Sequence, residues 1–242
     1  MFRVSIVSMG MVLISSSSAL AGTVSGLYVG YGAYQTWGAG YKQSLLWDSV
    51  ETVNLSNLKF SERLWDTGTG TNTVTWCAQV YQGVTPGNNY TFDVVALDIV
   101  PQTPPSPGPM GMAKAVVMQD AMARWLTADS RVIASAGSAN AAAAAFNALV
   151  WEIVNDNFVS SDASTIASRM SLTAGAFRSN LGGEALGIYN TMVASLGQGG
   201  WQTTATEGWL SITAQDQIRM VPTPGALALL GAAGLVGRRR RR

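Results

Sequence analysis

The chain contains no histidine. That absence excludes Ser-His-Asp and Cys-His catalysis, zinc sites that need imidazole, and haem held by histidine. Cys77 is the single cysteine, so no intrachain disulfide can form. A lone thiol is buried, paired with another molecule or used chemically. Charge is scarce too. Only 12% of the 242 residues are charged, against roughly 25% in an average soluble domain. Ala, Gly, Ser and Thr fill the shortfall. With 48% apolar residues the chain still has material for a sizeable core.

The two ends differ from what lies between them. Arg3, an apolar stretch VSIVSMGMVLI and the small-residue end Ala19-Leu20-Ala21 have the order of a secretory signal, so residues 1–21 are expected to be removed. The apolar run is too short to span a bilayer comfortably. Arg3 and the five arginines that close the chain can be set aside from the charge balance. Nine basic residues then face fourteen acidic ones between Gly22 and Met220, a balance of −5. An acidic body lacks the electrostatic footprint of a nucleic-acid binder, and no nucleic-acid partner is expected.

The tail reads VPTPGALALLGAAGLVGRRRRR. A plain membrane helix is one reading, with Arg238, Arg239, Arg240, Arg241 and Arg242 on the cytoplasmic side. Its apolar run, Gly225 to Gly237, has 13 residues, short of the roughly 20 that a span needs. Ahead of it Pro222 and Pro224 favour an extended segment that a protease can reach. This three-part order resembles the PEP-CTERM sorting signal of bacterial exported proteins, in which a V-P-E-P motif, an apolar stretch and an arginine cluster follow one another. Val221, Pro222 and Pro224 match the motif, and Thr223 stands where it has Glu. The resemblance covers residues 221–242 and implies an exosortase-type membrane protease as partner. It further implies only transient membrane anchoring, with the body released or attached at the cell surface.

Within the body, residues 22–100 read as mainly β. Thr52 to Ser56 alternates cleanly until Asn57, Asp66 to Asn72 is a loop by composition, and Thr73–Tyr81 and Tyr90–Val100 are rich in β-formers. Pro101 to Pro109 reads as a stiff connector. Residues 110–197 then turn helical. Helices are expected from Met110 to Leu126, from Ala139 to Asn155 with Ser138 as N-cap, from Ser160 or Ser161 to Met170, and from Glu184 to Leu196. Residues 208–220 hold a closing strand, drawn at Trp209 to Thr213. The expected class is α+β: an antiparallel sandwich or barrel-like sheet with an inserted helical part, flanked by a cleaved signal and a sorting helix.

Two short motifs carry the chemistry. Trp76-Cys77-Ala78-Gln79 lies in an expected strand. Phe146-Asn147-Ala148-Leu149-Val150-Trp151-Glu152-Ile153-Val154 lies in the Ala-rich helix. Each alone reads as core. Together they resemble bacterial surface thioester domains, which pair a Cys after an aromatic residue in a strand with a Gln on a later helix. There the Gln motif is apolar-Gln-x-x-apolar-Trp, often continued by Glu-Ile-Val. Asn147 occupies the Gln position. The family implies a cofactor-free covalent adhesin: the thiolate attacks the side-chain amide carbonyl, ammonia leaves, and the thioester later acylates a partner. Cys77 and Asn147 are the candidates for that bond, with Trp76, Gln79 and Trp151 in support. The Asn stem is shorter than a Gln stem by one C–C bond, about 1.5 Å, and a misplacement of about 1 Å can cost roughly 10²-fold. The domain is therefore expected to have kept the scaffold and lost the bond.

Other features are weaker. Asp66-Thr67-Gly68 is the triplet of aspartic proteases, but the second carboxylate motif that they need is missing. Glu152 and Asp156 stand one helical turn apart and are expected on a solvated face. Tyr28, Tyr31, Tyr34 and Trp37 either pack in the sheet or form a glycan-stacking surface. The reading is an exported, non-enzymatic, metal-free surface protein that binds an unknown surface or matrix ligand. A working covalent adhesin and a matrix component without a specific ligand are the alternatives.

Overall fold

The computed structural model describes residues 22–42, 52–80, 82–102, 108–134, 137–156 and 162–221. The expected signal (residues 1–21), the tail from Pro222 to Arg242 and most of the Pro-rich connector lie outside the described residues. The elements run β1 (Gly22–Lys42), β2 (Thr52–Asp66), β3 (Asn72–Cys77), β4 (Asn89–Val95), a 3-10 turn (Leu97–Ile99), α1 (Gly111–Trp125), α2 (Ala139–Asn155), α3 (Ala163–Ser168), β5 (Phe177–Ser179), α4 (Gly183–Ser195), β6 (Thr206–Leu210) and β7 (Gln217–Met220). The class is α+β, with seven antiparallel strands in one sheet among the described residues.

The strand order is β2-β3-β7-β6-β4-β1-β5, and β2 also pairs with β1. Six strands therefore close into a ring, and β5 adds to the far end of β1. Inside the ring lies a small aromatic core of Tyr28, Trp65, Phe92 and Trp209. Trp65 sits 4.9 Å from Tyr28 and 5.1 Å from Phe92, ring centre to ring centre. The larger core surrounds α2, whose residues from Ala141 to Asn155 are all buried. A helix enclosed on every side needs small or apolar residues all round, which the alanine run supplies. Ser138 caps it, its hydroxyl accepting from the Ala141 amide at 3.2 Å.

β2 is far longer than the alternation in Thr52–Ser56 indicated. The pattern fails at Asn57 because the strand bulges there: Trp37 pairs with Leu58 and Ala39 with Leu55, so two residues of β2 oppose Gly38. Asn57 takes φ 59°, a left-handed conformation that Asn tolerates better than most residues. β4 stops at Val95 and gives way to the turn before Val100. The closing strand is two strands, β6 and β7. The loop between them is held by Asp216, which accepts from the Ser211 amide at 2.8 Å and the Gln102 amide at 2.7 Å. The third helix starts later than Ser160 or Ser161 proposed, because Asp162 is the cap: its carboxylate accepts from the Thr165 amide at 2.8 Å.

Candidate functional site

The Cys77–Asn147 junction sits where two strands part. β2 and β3 pair from Asp66↔Asn72 to Glu62↔Trp76 and no further. The next residues in register are Ser61 and Cys77, and there α2 inserts a side chain between the strands. The Asn147 Oδ1 accepts from the Ser61 amide at 3.0 Å, and its Nδ2 donates to the Cys77 carbonyl at 3.2 Å. A side-chain amide thus replaces the missing rung of the ladder. Both backbone groups are buried and would otherwise go unsatisfied.

The thiol points elsewhere. Cys77 is fully buried at the end of β3, opposite Gln217 on β7. Its Sγ donates to the Gln79 carbonyl at 2.7 Å. Burial pushes the thiol up to about 12, against the opposing pull of the Arg63 guanidinium, Trp151 and the hydrogen bond to Gln79. At neutral pH it is therefore a thiol, and only the thiolate is nucleophilic. The Trp151 indole N–H makes no conventional hydrogen bond among the described residues. It faces the Cys77 sulfur, and its ring packs on Phe60 at 4.7 Å.

Trp76 and Gln79 have structural tasks. The Trp76 indole donates to the Ser130 carbonyl at 2.9 Å, and its ring lies 4.6 Å from Phe146. The Gln79 Oε1 accepts from the Asp216 amide at 2.7 Å, and its carbonyl also accepts from Gln215 Nε2 at 2.8 Å. Gln79 thereby ties the end of β3 to the approach of β7. Of the sorting residues only Val221 is described. Its amide donates to the Ala205 carbonyl at 2.9 Å, continuing the β6–β7 pairing by one residue.

Arg63 was not singled out from the sequence. It is buried beside this junction, and its Nη1 donates to the Tyr28 hydroxyl at 3.0 Å. Among the described residues its Nε and the Ser61 hydroxyl have no hydrogen-bond partner. Among the described residues no carboxylate pairs with it. The polar alternation Lys59, Ser61, Arg63 in β2 is the signal that could have found it.

The solvated face expected for Glu152 and Asp156 is corrected: Glu152 is 0% and Asp156 5% exposed. α2 is enclosed by β5, α4 and the segment after α3, so no side of it reaches water there. Glu152 Oε1 accepts from the Ser171 amide at 2.6 Å, and Asp156 Oδ1 from the Phe177 amide at 2.7 Å. Burial raises both carboxyls, and for Glu152 the neighbouring Asp156 adds to it. Lys114 donates to the Val154 carbonyl at 2.8 Å, and burial lowers its ammonium to about 8. Gly175 presses on the pair, with room for no side chain: a Cβ there would lie 2.0 Å from Asp156 Oδ2. Asp66, by contrast, is exposed and folds back on the Gly68 amide at 2.9 Å. Its triplet is a turn at the end of β2.

No protein-family model, curated protein or solved structure matches this chain.

Proposed function

We propose that this is an exported surface protein that binds its partner without a covalent bond. Its body is a thioester-domain-like scaffold, and its tail is an address read by an exosortase-type membrane protease. The observation that carries this reading is the use made of Asn147. It stands against Cys77 across 70 residues of sequence, where the resemblance puts a Gln, yet both ends of its amide are engaged by the Ser61 amide and the Cys77 carbonyl. The thiol is protonated and committed to Gln79. Thioester formation needs a thiolate within about 3–3.5 Å of the amide carbon and aligned with it. An amide that holds two strands together is poorly placed to lose its nitrogen.

The test is the intact mass of the purified chain, with and without methylamine. The expected result is an unmodified mass, with one free thiol that titrates only after unfolding. A mass short by one ammonia that rises on methylamine treatment, in the parent chain but not in Cys77→Ala, overturns the non-covalent reading and makes the protein a covalent adhesin. Export and sorting have their own test. Replacing Val221, Pro222 and Pro224 by Ala is expected to leave the tail uncleaved and the chain in the membrane fraction. Unchanged processing would refute the tail's role.

A further inference from the structure

Tyr28, Tyr31 and Tyr34 recur every third residue, a spacing that in a regular strand would send neighbours to opposite faces. β1 is not regular. Tyr28 pairs with Trp65 and Gly30 with Leu64, which leaves Val29 extra; Tyr31 pairs with Arg63 and Tyr34 with Ser61, which leaves one more. Each interval between tyrosines holds a bulge, and each bulge turns the next tyrosine back to the same face. The rings accordingly follow one another at 6.0 Å and 5.7 Å. Glu62 fits the second bulge from the other side, its Oε2 accepting from the Ala33 amide at 3.3 Å.

Two cations from β2 interleave with this row. The Arg63 guanidinium lies 4.6 Å from the Tyr31 ring centre, and the Lys59 ammonium lies 4.2 Å from Tyr31 and 5.3 Å from Tyr34. The row runs from the buried core outward: Tyr28 is 0% exposed, Tyr31 half-buried and Tyr34 40% exposed. Neither Lys59 nor Arg63 has a carboxylate partner among the described residues. In a body where acids outnumber bases by five, two adjacent cations with no carboxylate partner among the described residues mark a place of positive charge. Asn140, at the start of α2, accepts from the Tyr34 amide at 3.1 Å and fixes the outer ring's backbone.

The geometry points to a carbohydrate site on this face: Tyr31, Tyr34 and Lys59 bind a polysaccharide that carries carboxylates, of the polyuronate kind. The exposed Tyr34 offers apolar ring area for the C–H face of a pyranose, with a polar tip at the water boundary, while Tyr31, faced by both Lys59 and Arg63, positions the lysine. Lys59 supplies the charge for one carboxylate. A nucleic acid or a densely charged surface would need a much larger basic footprint than one half-buried lysine in an acidic body. A polymer with one carboxylate per sugar suits a single half-buried lysine flanked by rings. This names the ligand class for the surface-binding reading above and rests on it.

The experiment is affinity electrophoresis of the full chain through gels containing polygalacturonate, or neutral dextran as control. Retardation is expected with polygalacturonate only, and it should weaken as salt rises. Lys59→Gln and Tyr34→Ala should each reduce it roughly tenfold, with melting temperatures unchanged to show that the fold is intact. No retardation of the parent chain, or retardation that both variants retain, overturns the assignment. So does equal binding to vesicles of an anionic phospholipid that survives Tyr34→Ala, which would mark a general anion surface. A chain that is exported and retained at the surface yet ignores polygalacturonate refutes this site alone. One that binds it but is never exported refutes the localisation instead.

Discussion

Asn147 and Glu152 lie five residues apart on α2, and both are fully buried polar groups. They solve the same problem differently. Asn147 is neutral and matches one donor and one acceptor to a gap in a ladder. Glu152 satisfies one oxygen through the Ser171 amide, and the other faces the Asp156 carboxyl with no further hydrogen-bond partner among the described residues. The amide site does not respond to pH. The carboxyl site stores a proton. What distinguishes them is the ability to ionise, since burial penalises the charged form and leaves an amide untouched.

The largest effect is expected from Asn147→Ala, which breaks the amide site outright. Two buried backbone groups lose their partners, each costing about 1–3 kcal/mol. A fall in melting temperature of roughly 6–12 °C follows for a loss of about 3 kcal/mol, read by calorimetry near neutral pH. A fall under about 2 °C would mean that the strands close the gap themselves.

Asn147→Asp sharpens the comparison by turning the silent site into a titrating one. A protonated Asp can still donate to the Cys77 carbonyl, so near-parent stability is expected at pH 4. Burial raises its folded pKa above the unfolded value, so stability is lost as pH rises through the folded pKa. Melting curves from pH 4 to pH 8 should therefore diverge from the parent, with the variant falling further. Parallel curves would show that the carboxylate finds a partner there.

Glu152→Gln is expected to have the smallest effect, visible mainly as a lost slope. Glu152, Asp156 and Asp216 are all raised by burial, Asp216 to about 6. Each contributes stability that is full below its unfolded pKa and declines as pH rises toward its folded one. The parent should melt lower at pH 8 than at pH 5. Lys114, lowered to about 8, is charged through most of that window and reaches half-neutral only at its upper edge, where it adds a small opposing slope. Glu152→Gln should flatten the decline by a few degrees. A parent curve that rises with pH across this window would contradict the raised carboxyls.

Much of this architecture was legible in the sequence, and the reasons are local. The Ala-rich helix with Ser138 before it, the stretch of β-formers around Trp76 and the loop from Asp66 to Asn72 follow from spacing, capping and composition. The pairing of Cys77 with Asn147 came through a resemblance. No periodicity links two residues that far apart, and only tertiary structure shows that the amide serves the backbone. The burial of Glu152 was missed because a Glu and an Asp one turn apart look like a wet face. Nothing in α2 itself announces that Ser171 and Phe177 will close over them. The common face of the tyrosines was hidden for a different reason: bulges change the arithmetic of a strand, and a Gly or Asn is a weak sign of where they fall.

The ring of strands has a consequence for how the molecule comes into being. β3 and β4 find their second neighbours only in β7 and β6, which arrive with residues 206–220, more than a hundred positions later. Until that stretch is present, two strand edges stand open and the aromatic centre lacks Trp209. Contacts so distant in sequence form slowly. A chain made from its N-terminal end would thus remain unlocked until β6 and β7 arrive, and those two strands would act as the latch.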